Sequence, residues 1–321
     1  MWKTVVRRLL ILIPQLLALS LLVFLLAQLM PGDALRGFIK PGTHPDLVER
    51  LREFHGLNDP WHQQYWRWLG NIFKGDFGNS ITFQRPVTAV IGDRIGNTML
   101  LSLMATLFTY SIAIPLGILA ARYKGRNLDK GIMIYTFVAL SIPTVVMGLI
   151  NILVFAFTLE WFPPFGSIEL SAHAAGGLTA FISRLYHAFL PAFTMAFLGT
   201  TGIIYFLRSE IIDNDSADFV TTARSKGVPE NKVYTGHILR NALLPIAGSA
   251  GYIILGLFVG SIFIETVFTF QGMGQLFISS IRGRDFPVVN ILVMFYAIIG
   301  ALAILVTDIV ITIIDPRIRI K

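Results

Sequence analysis

The chain contains 321 residues, of which 54% are hydrophobic and only 14% are charged, and its mean hydropathy is +0.67. This composition excludes a soluble enzyme. The formal net charge of +7 requires no nucleic acid partner, because lysine and arginine accumulate on the cytosolic side of membrane proteins.

Six apolar runs are each long enough to cross the hydrocarbon core of a bilayer as a helix. They are too long for strands, and a helix satisfies its own backbone hydrogen bonds within lipid. The first run exceeds the apolar core of a cleavable signal peptide, and no small-residue cleavage site follows it, so we expect it to be retained. The pattern predicts an all-α integral membrane protein with six transmembrane helices. The runs are approximately Leu9–Met30, Thr98–Ala121, Ile132–Leu159, Leu190–Leu207, Leu244–Val267 and Val288–Ile314.

The sequence predicts two main parts and a short tail. Residues 1–93 hold the first span and an external helical segment, residues 94–314 hold five spans, and residues 315–321 form the tail. Two external helices are predicted, one beginning near Pro45 and one after Pro60, from apolar spacing and helix-start signals. The second is rich in aromatic residues, so it lies either on the membrane surface or in a cap packed on the bundle.

The positions of lysine and arginine predict that both termini are cytosolic and that the chain is a multi-pass protein of the cell membrane. If the six spans alternate, four basic groups fall on one side, whereas the opposite short loops carry only Arg184, Arg282 and Arg284. One of these groups lies in residues 208–243, named the basic loop below. The groups are Lys3, Arg7 and Arg8; Arg122, Lys124, Arg126 and Lys130; Arg208, Arg224, Lys226, Lys232 and Arg240; and Arg317, Arg319 and Lys321.

The basic loop returns to the membrane at both ends, so it is held close to the bilayer. Its pattern predicts a helix over Ala217–Lys226, a stop at Gly227-Val228-Pro229, and a second short helix. Glycine permits the backbone angles of a sharp exit, and proline opens a helix but does not continue one. Such a structure is suited to press on another protein. A DNA-binding helix-turn-helix has a similar pattern, but the nearby spans leave no room for DNA.

No pattern in the sequence indicates enzymatic chemistry. A P-loop sequence is absent, and none of the six histidines lies in the middle of an apolar run. Without cysteine, disulfides and thiolate metal sites are excluded. Only Glu265 and Asp308 place carboxylates in the runs, both near run ends, which is fewer than an ion pathway usually needs. An ion-coupled secondary transporter is therefore a distant alternative.

Short motifs occur along nearly the whole chain, and their order is more specific than any one of them. The basic loop contains DFVTTARSKG at Asp218–Gly227 and RNALLP at Arg240–Pro245. This ordered set resembles the permease subunits of ABC transporters, specifically the "B" permease of the oligopeptide, dipeptide and nickel importers. The other motifs are Met30-Pro31-Gly32-Asp33, Gly75–Ser80, Arg85-Pro86-Val87, Asn97-Thr98, Glu265–Phe268, Gly272-Met273-Gly274, Arg284–Pro287 and Asp315-Pro316-Arg317.

The chain departs from the wider importer motif E-A-A-x-x-x-G-x9-I-x-L-P in two places. Thr221-Thr222-Ala223 occupy the E-A-A positions, and His237–Arg240 stand where I-x-L-P is expected, while Gly227 is kept. The peptide group commonly departs in this way, so the resemblance still implies a coupling role for the loop. A role specific to the acidic residue of that motif is not implied.

The resemblance implies a type I ABC importer permease fold and a subunit that forms half of a translocation pathway for peptides. Nickel or oligosaccharide transport by the same assembly is the alternative. The implied partners are a second homologous permease, two ABC ATPase subunits, an extracytoplasmic substrate-binding protein and the lipid bilayer, with no nucleic acid. ATP and magnesium would bind the partner chains, so no catalytic residue, cofactor or metal is expected in this chain.

The resemblance also implies that the short helix of the basic loop docks in a groove of an ATPase subunit. Closure of two ATPases would then move the spans through this contact. The residues expected at the contact are Ala223, Lys226, Gly227, Val228, Pro229, Glu230, Asn231, Lys232, Val233 and His237.

Overall fold

The computed structural model describes residues 2–29, 44–54 and 58–314. These ranges are largely helical, and they contain no strand beyond an isolated bridge between Asn79 and Pro86. The first helices are α1 (Trp2–Leu29), α2 (Pro45–Phe54), α3 (Trp61–Phe73), α4 (Val87–Arg122), α5 (Asn127–Ser141), α6 (Thr144–Asn151) with a π-helical continuation (Ile152–Thr158), and α7 (Leu170–Ala175). There follow α8 (Gly177–Asn214), α9 (Asp218–Ser225), α10 (Glu230–Lys232) with a π-helical continuation (Val233–Ile238), α11 (Leu239–Ala242), α12 (Leu244–Ala247), α13 (Ala250–Val259), α14 (Ile262–Val267), α15 (Met273–Gly283) and α16 (Phe286–Ile314).

Within the described ranges, five helical segments are long and apolar enough to cross a membrane, and a bent pair makes a sixth if it counts as one span. The predicted all-α membrane fold is confirmed. The third predicted run differs from a single helix, because α5 and the segment Thr144–Thr158 meet at 103°. Ile142 at the bend is extended, with φ −92° and ψ 120°, as expected for a residue that precedes proline. The five segments are Val6–Leu26, Val87–Arg122, Gly177–Asn214, Ala250–Val267 and Phe286–Ile313.

The pair α4 and α8 forms the centre of the bundle. Both helices run in the same direction, since Thr109 faces Gly199 and, further along, Gly117 faces Leu207. A Cβ atom on Gly117 would lie 2.9 Å from the Cβ of Leu207, so glycine permits this close approach. α4 contains 36 residues, which corresponds to a length of about 54 Å. The pair therefore connects the two ends of the bundle.

One end of the bundle, named the cap end below, carries the external segment predicted from the sequence. The first turns of α4 share an apolar cluster with α15 and α16, in which Val87, Met273 and Val288 are fully buried. The predicted division at residues 93 and 94 falls inside α4, because this helix already begins at Val87. The helix that contains the second predicted span thus begins within the predicted external segment.

The helix α3 packs on the bundle, which is one of the two arrangements the sequence left open. Tyr65 is buried against Phe24 of α1, and its hydroxyl lies 2.8 Å from the Ser20 hydroxyl. Elsewhere on α3, Trp61 and Trp66 are 52% and 65% exposed. The aromatic residues thus serve both as packing and as an exposed apolar surface.

The fifth predicted run consists of three helices, α12, α13 and α14. Gly260 separates α13 from α14 and has a φ of +70°, a conformation that glycine adopts at little cost. α13 contacts the backbone of α16 so closely that a Cβ on Gly251 would lie 1.8 Å from the carbonyl oxygen of Ala303. The break at Gly260 and the approach at Gly251 both depend on the absence of a side chain.

Candidate coupling surface

The basic loop folds into two helices joined by a turn, as predicted. α9 ends at Ser225, and the second helical unit starts at Glu230 behind Pro229. Between them Gly227 has a φ of +73°. The amide of Gly227 donates to the carbonyl of Arg224 at 2.9 Å, and that of Val228 donates to the carbonyl of Ala223 at 3.2 Å. This pair of bonds is a Schellman motif, which requires the left-handed conformation at Gly227.

The inward side of the basic loop is apolar and is fixed to the spans. Val220, Val233 and Ile238 are fully buried in a cluster with Leu207 and Ile211 of α8. Each such side chain contributes about 1.5–3 kcal/mol when it is removed from water, taken as an upper estimate. The loop is therefore a packed structure that sits on the end of α8.

Arg224 ties the two sides of the turn together. Its Nη2 donates to Asp215 Oδ1 at 2.7 Å, and its Nε donates to Glu230 Oε1 at 2.8 Å. The hydrogen bonds to Glu230 and then Asp215 raise the pKa of Arg224 above its ordinary value. The Arg224 side chain is about a third exposed, so these ion pairs contribute little to stability and mainly fix the orientation of the turn.

A second polar contact joins the loop to the end of α4. Arg122, the last residue of α4, donates a hydrogen bond from Nη1 to Asn231 Oδ1. The same guanidinium lies 5.9 Å from the ring centroid of Tyr234, within the range of a cation–π contact. α4 thus holds α10, while α8 holds its π-helical continuation.

An ion pair at the start of the basic loop was not predicted from the sequence. Arg208 of α8 donates to both carboxylate oxygens of Asp129 in α5, at 2.7 and 2.8 Å. The amide of Gly125 also donates to Asp129 at 2.8 Å. In the sequence Arg208 indicates only membrane orientation, and the acidic residue in the first turn of α5 is the available sign of a partner.

The residues expected at the ATPase contact fall into two groups. Lys226, Gly227, Pro229, Glu230, Asn231, Lys232 and His237 are exposed, and Val228 is half-buried. Ala223 and Val233 are buried in the apolar cluster beneath them. These two residues lie beneath the exposed surface, and the ATPase contact of the whole set stays a prediction.

Three of the dispersed motifs meet at the cap end around Glu265, which is fully buried. Thr98 Oγ1 donates to Glu265 Oε1 at 3.0 Å and accepts from the amide of Met273 at 2.7 Å. The amide of Gln275 donates to Glu265 Oε2 at 2.9 Å. A Cβ on Gly272 would lie 2.5 Å from the same carboxylate, so glycine is needed beside it. These contacts fasten α15 to α4 and α14.

Two further motifs meet at Asp285, which precedes α16 and is fully buried. Its carboxylate accepts hydrogen bonds from the Ser80 hydroxyl and from the amides of Ile81 at 3.1 Å and Thr82 at 3.0 Å. The turn that precedes α4 is thereby attached to the start of α16. Across the described ranges, no three histidine or acidic side chains are placed to hold a metal ion.

Comparison with protein families identifies two matching segments. Residues 113–320 match the family of binding-protein-dependent transport system inner membrane components. Residues 1–102 match the N-terminal region described for membrane components of binding-protein-dependent transport systems. Together these matches cover most of the chain, including the basic loop and the cap end.

Curated relatives match over nearly the full length. The oligopeptide transport system permease protein AppB of Bacillus subtilis is 38% identical over 98% of both chains. A putative peptide transport system permease protein of Brucella abortus is 34% identical over 96% of both. The glutathione transport system permease protein GsiC of Salmonella paratyphi A is 33% identical over 100% of both.

A solved structure shares the fold. The MetNI methionine ABC transporter, in an inward-facing conformation, aligns with a TM-score of 0.55 at 14% identity, covering 71% of this chain and 97% of the other. The architecture is the type I ABC importer permease fold. The chain belongs to the family of binding-protein-dependent transport system inner membrane components, and it is a permease subunit of an ABC importer.

Proposed function

We propose that this chain forms half of the translocation pathway of an ATP-driven peptide importer and that the basic loop receives the motion of an ATPase subunit. The assembly would contain a second homologous permease, two ABC ATPase subunits and an extracytoplasmic substrate-binding protein. Both termini and the basic loop would lie in the cytosol, and the cap end would face outward. The observation that carries this proposal is the exposed helical surface around Gly227, fixed to two spans.

The contacts of the loop supply a route for motion. A force on α10 reaches α8 through the apolar cluster around Val233, and it reaches α4 through Asn231 and Arg122. From α8 it passes to α5 through the pair formed by Arg208 and Asp129. The loop would therefore move with three helices at once, which is what a coupling element requires.

The relatives support peptides as the substrate class. The names oligopeptide, peptide and glutathione describe molecules that all contain amide-linked amino acids. Nickel or an oligosaccharide would need a different set of binding groups, and none of the relatives described here is named for either.

Site-directed crosslinking tests the coupling role. The chain has no cysteine, so Lys232→Cys introduces a single reactive thiol on the exposed surface. In the intact assembly we expect this thiol to crosslink to an ATPase subunit. Glu160→Cys, an exposed position in a different loop, is the control and should not crosslink to the ATPase. An assembly that hydrolyses ATP but never yields the Lys232→Cys adduct would refute the coupling role.

Reconstitution tests the transport function. Liposomes with the complete assembly should take up labelled peptide only when ATP and the binding protein are present. Uptake by this chain alone, driven by an ion gradient, would instead establish a secondary transporter.

A further inference from the structure

An open cavity of about 310 Å³ lies between α4, α8 and α13. The side chains from α4 lie near the middle of that helix, between Ser102 and Tyr110. Apolar side chains such as Met195 and Ile253 line the other walls, and among the described residues no acidic or basic side chain lines the cavity. A cavity at mid-helix depth that combines hydroxyl groups with apolar walls is unusual for a simple packing defect, which would be apolar throughout.

Hydroxyl groups in this cavity lack partners. Ser102 is only 5% exposed, and its Oγ has no hydrogen bond within the described part of the chain. The hydroxyls of Thr109 and Tyr110 likewise form no hydrogen bond with any described residue. One turn beyond Ser102, by contrast, Thr106 donates to the carbonyl of Ser102 at 2.7 Å, which is the usual way to satisfy a helical hydroxyl in lipid. Buried hydroxyls are nearly always paired, so the unpaired Ser102 Oγ, together with the accessible hydroxyls of Thr109 and Tyr110, indicates a polar occupant.

We propose that this cavity binds the main chain of a transported peptide, an inference that rests on the proposed function. A hydroxyl both donates and accepts, so a row of hydroxyls matches the alternating N–H and C=O groups of a peptide backbone. A lipid acyl chain would leave the hydroxyls unpaired, and an ionic ligand would find no charge of opposite sign. The site recognises what all peptides share and ignores the charge of their side chains.

The size of the cavity sets how much of a peptide it holds. A volume near 300 Å³ is at the lower end of small-molecule sites, so the cavity holds a short stretch of about one or two residues. Towards the cap end the wall is Gly260, which lies against the carboxylate of Glu265. The site is therefore bounded on that side by the buried contacts that fasten α15.

A filling substitution tests the proposal in the complete assembly, reconstituted in liposomes with its partner subunits. No heavy atom lies within 4 Å of a Cβ built on Gly256, which lines the cavity, so Gly256→Leu fills the space without displacing backbone. We expect peptide uptake to fall at least about tenfold, while ATP hydrolysis stimulated by the binding protein persists. Gly202→Leu is the matched control, because Gly202 is exposed on α8 and also has open space around it. Its uptake should stay within about twofold of the unmodified assembly.

Removal of hydroxyls tests the chemistry without filling the space. The double variant Ser102→Ala with Tyr110→Phe should reduce the uptake of short peptides about fivefold or more, by an equal factor for acidic, basic and apolar peptides. Unchanged uptake in Gly256→Leu, or a loss in the double variant that depends on peptide charge, overturns the proposal. If the unmodified assembly imports no peptide, the proposed function fails and this inference fails with it. If the unmodified assembly imports peptide and neither variant changes uptake, the proposed peptide site is wrong while the proposed function stands.

Discussion

Arg208 in α8 and Asp129 in α5 form a bidentate ion pair, with donor–acceptor distances of 2.7 and 2.8 Å. Asp129 is almost fully buried, whereas Arg208 is 23% exposed at its side chain. An interaction with one buried partner is costly to break, because the remaining charge loses its compensation. Arg208 is the first residue of the basic loop, so the pair links the loop to α5. No residue of α5 belongs to the apolar cluster of the loop.

We therefore expect Asp129→Asn to destabilise the protein by about 2 kcal/mol, since the amide cannot accept from Arg208 and Gly125 as the carboxylate does. The measurement is the temperature at which the folded protein is lost in detergent, followed by size-exclusion chromatography. Asp213→Asn is the control, because Asp213 is exposed in the same region and should change stability by no more than about 0.5 kcal/mol. Equal melting temperatures for the two variants would contradict the prediction.

Gly227→Val should uncouple the assembly or prevent its association while the subunit still inserts into the membrane. A branched side chain at φ +73° costs about 1–2 kcal/mol or more, and it breaks the Schellman motif that orients α10. The measurement is peptide-stimulated ATP hydrolysis by the purified assembly. Gly227→Asn should retain most of the activity, because asparagine tolerates the left-handed conformation. Normal stimulation in Gly227→Val would count against the assignment.

Two glycines of α13, Gly251 and Gly256, distinguish the effect of close helix packing from the effect of backbone flexibility. Gly251→Ala places a methyl group 1.8 Å from the Ala303 carbonyl oxygen, so α13 and α16 must move apart. We expect a loss of about 1–3 kcal/mol in stability, as for other overpacked sites. Gly256→Ala on the same helix meets no atom within 4 Å and should be neutral or slightly stabilising. A similar effect of the two variants would show that contact with α16 is not the cause.

The contacts of Asp285 predict a local change in hydrogen exchange. Asp285→Ala removes the acceptor for the amides of Ile81 and Thr82, so their exchange should accelerate by at least about tenfold. Mass spectrometry of peptides that cover residues 78–86 provides the measurement. Asp93→Ala breaks only an exposed pair with Arg85 and should leave these amides protected. Unchanged exchange in Asp285→Ala would mean that other contacts hold the turn.

Local chemistry explains which features the sequence could predict. Apolar length defines a span, so the long helices were found from hydropathy alone. The stop at Gly227–Pro229 depends on backbone angles that the glycine and proline residues themselves favour, so the local sequence is enough to predict it. The bend at Pro143 was not predictable in this way, because Pro115 and Pro191 lie inside continuous helices while Pro143 separates two. Which outcome a proline produces depends on the neighbouring helices.

Distant contacts explain most of what the sequence did not reveal. The motifs containing Thr98 and Glu265 were recognised separately, but nothing in either one indicates that they bond across 167 positions. The same holds for Asp285 and Ser80, which are 205 positions apart. The burial of Ala223 and Val233 was likewise not predictable, because the sequence of a short amphipathic helix does not indicate which element packs against its apolar side.

The continuity of α4 has a mechanical consequence. Near one end Thr98 is bonded to Glu265, and at the other end Arg122 is bonded to Asn231. Both anchor points lie on one helix, which contains Pro115 but no loop between them, so displacement is shared between them through a single helical backbone. The cap end and the end that carries the basic loop therefore do not move independently, and a restraint on either end also limits the other.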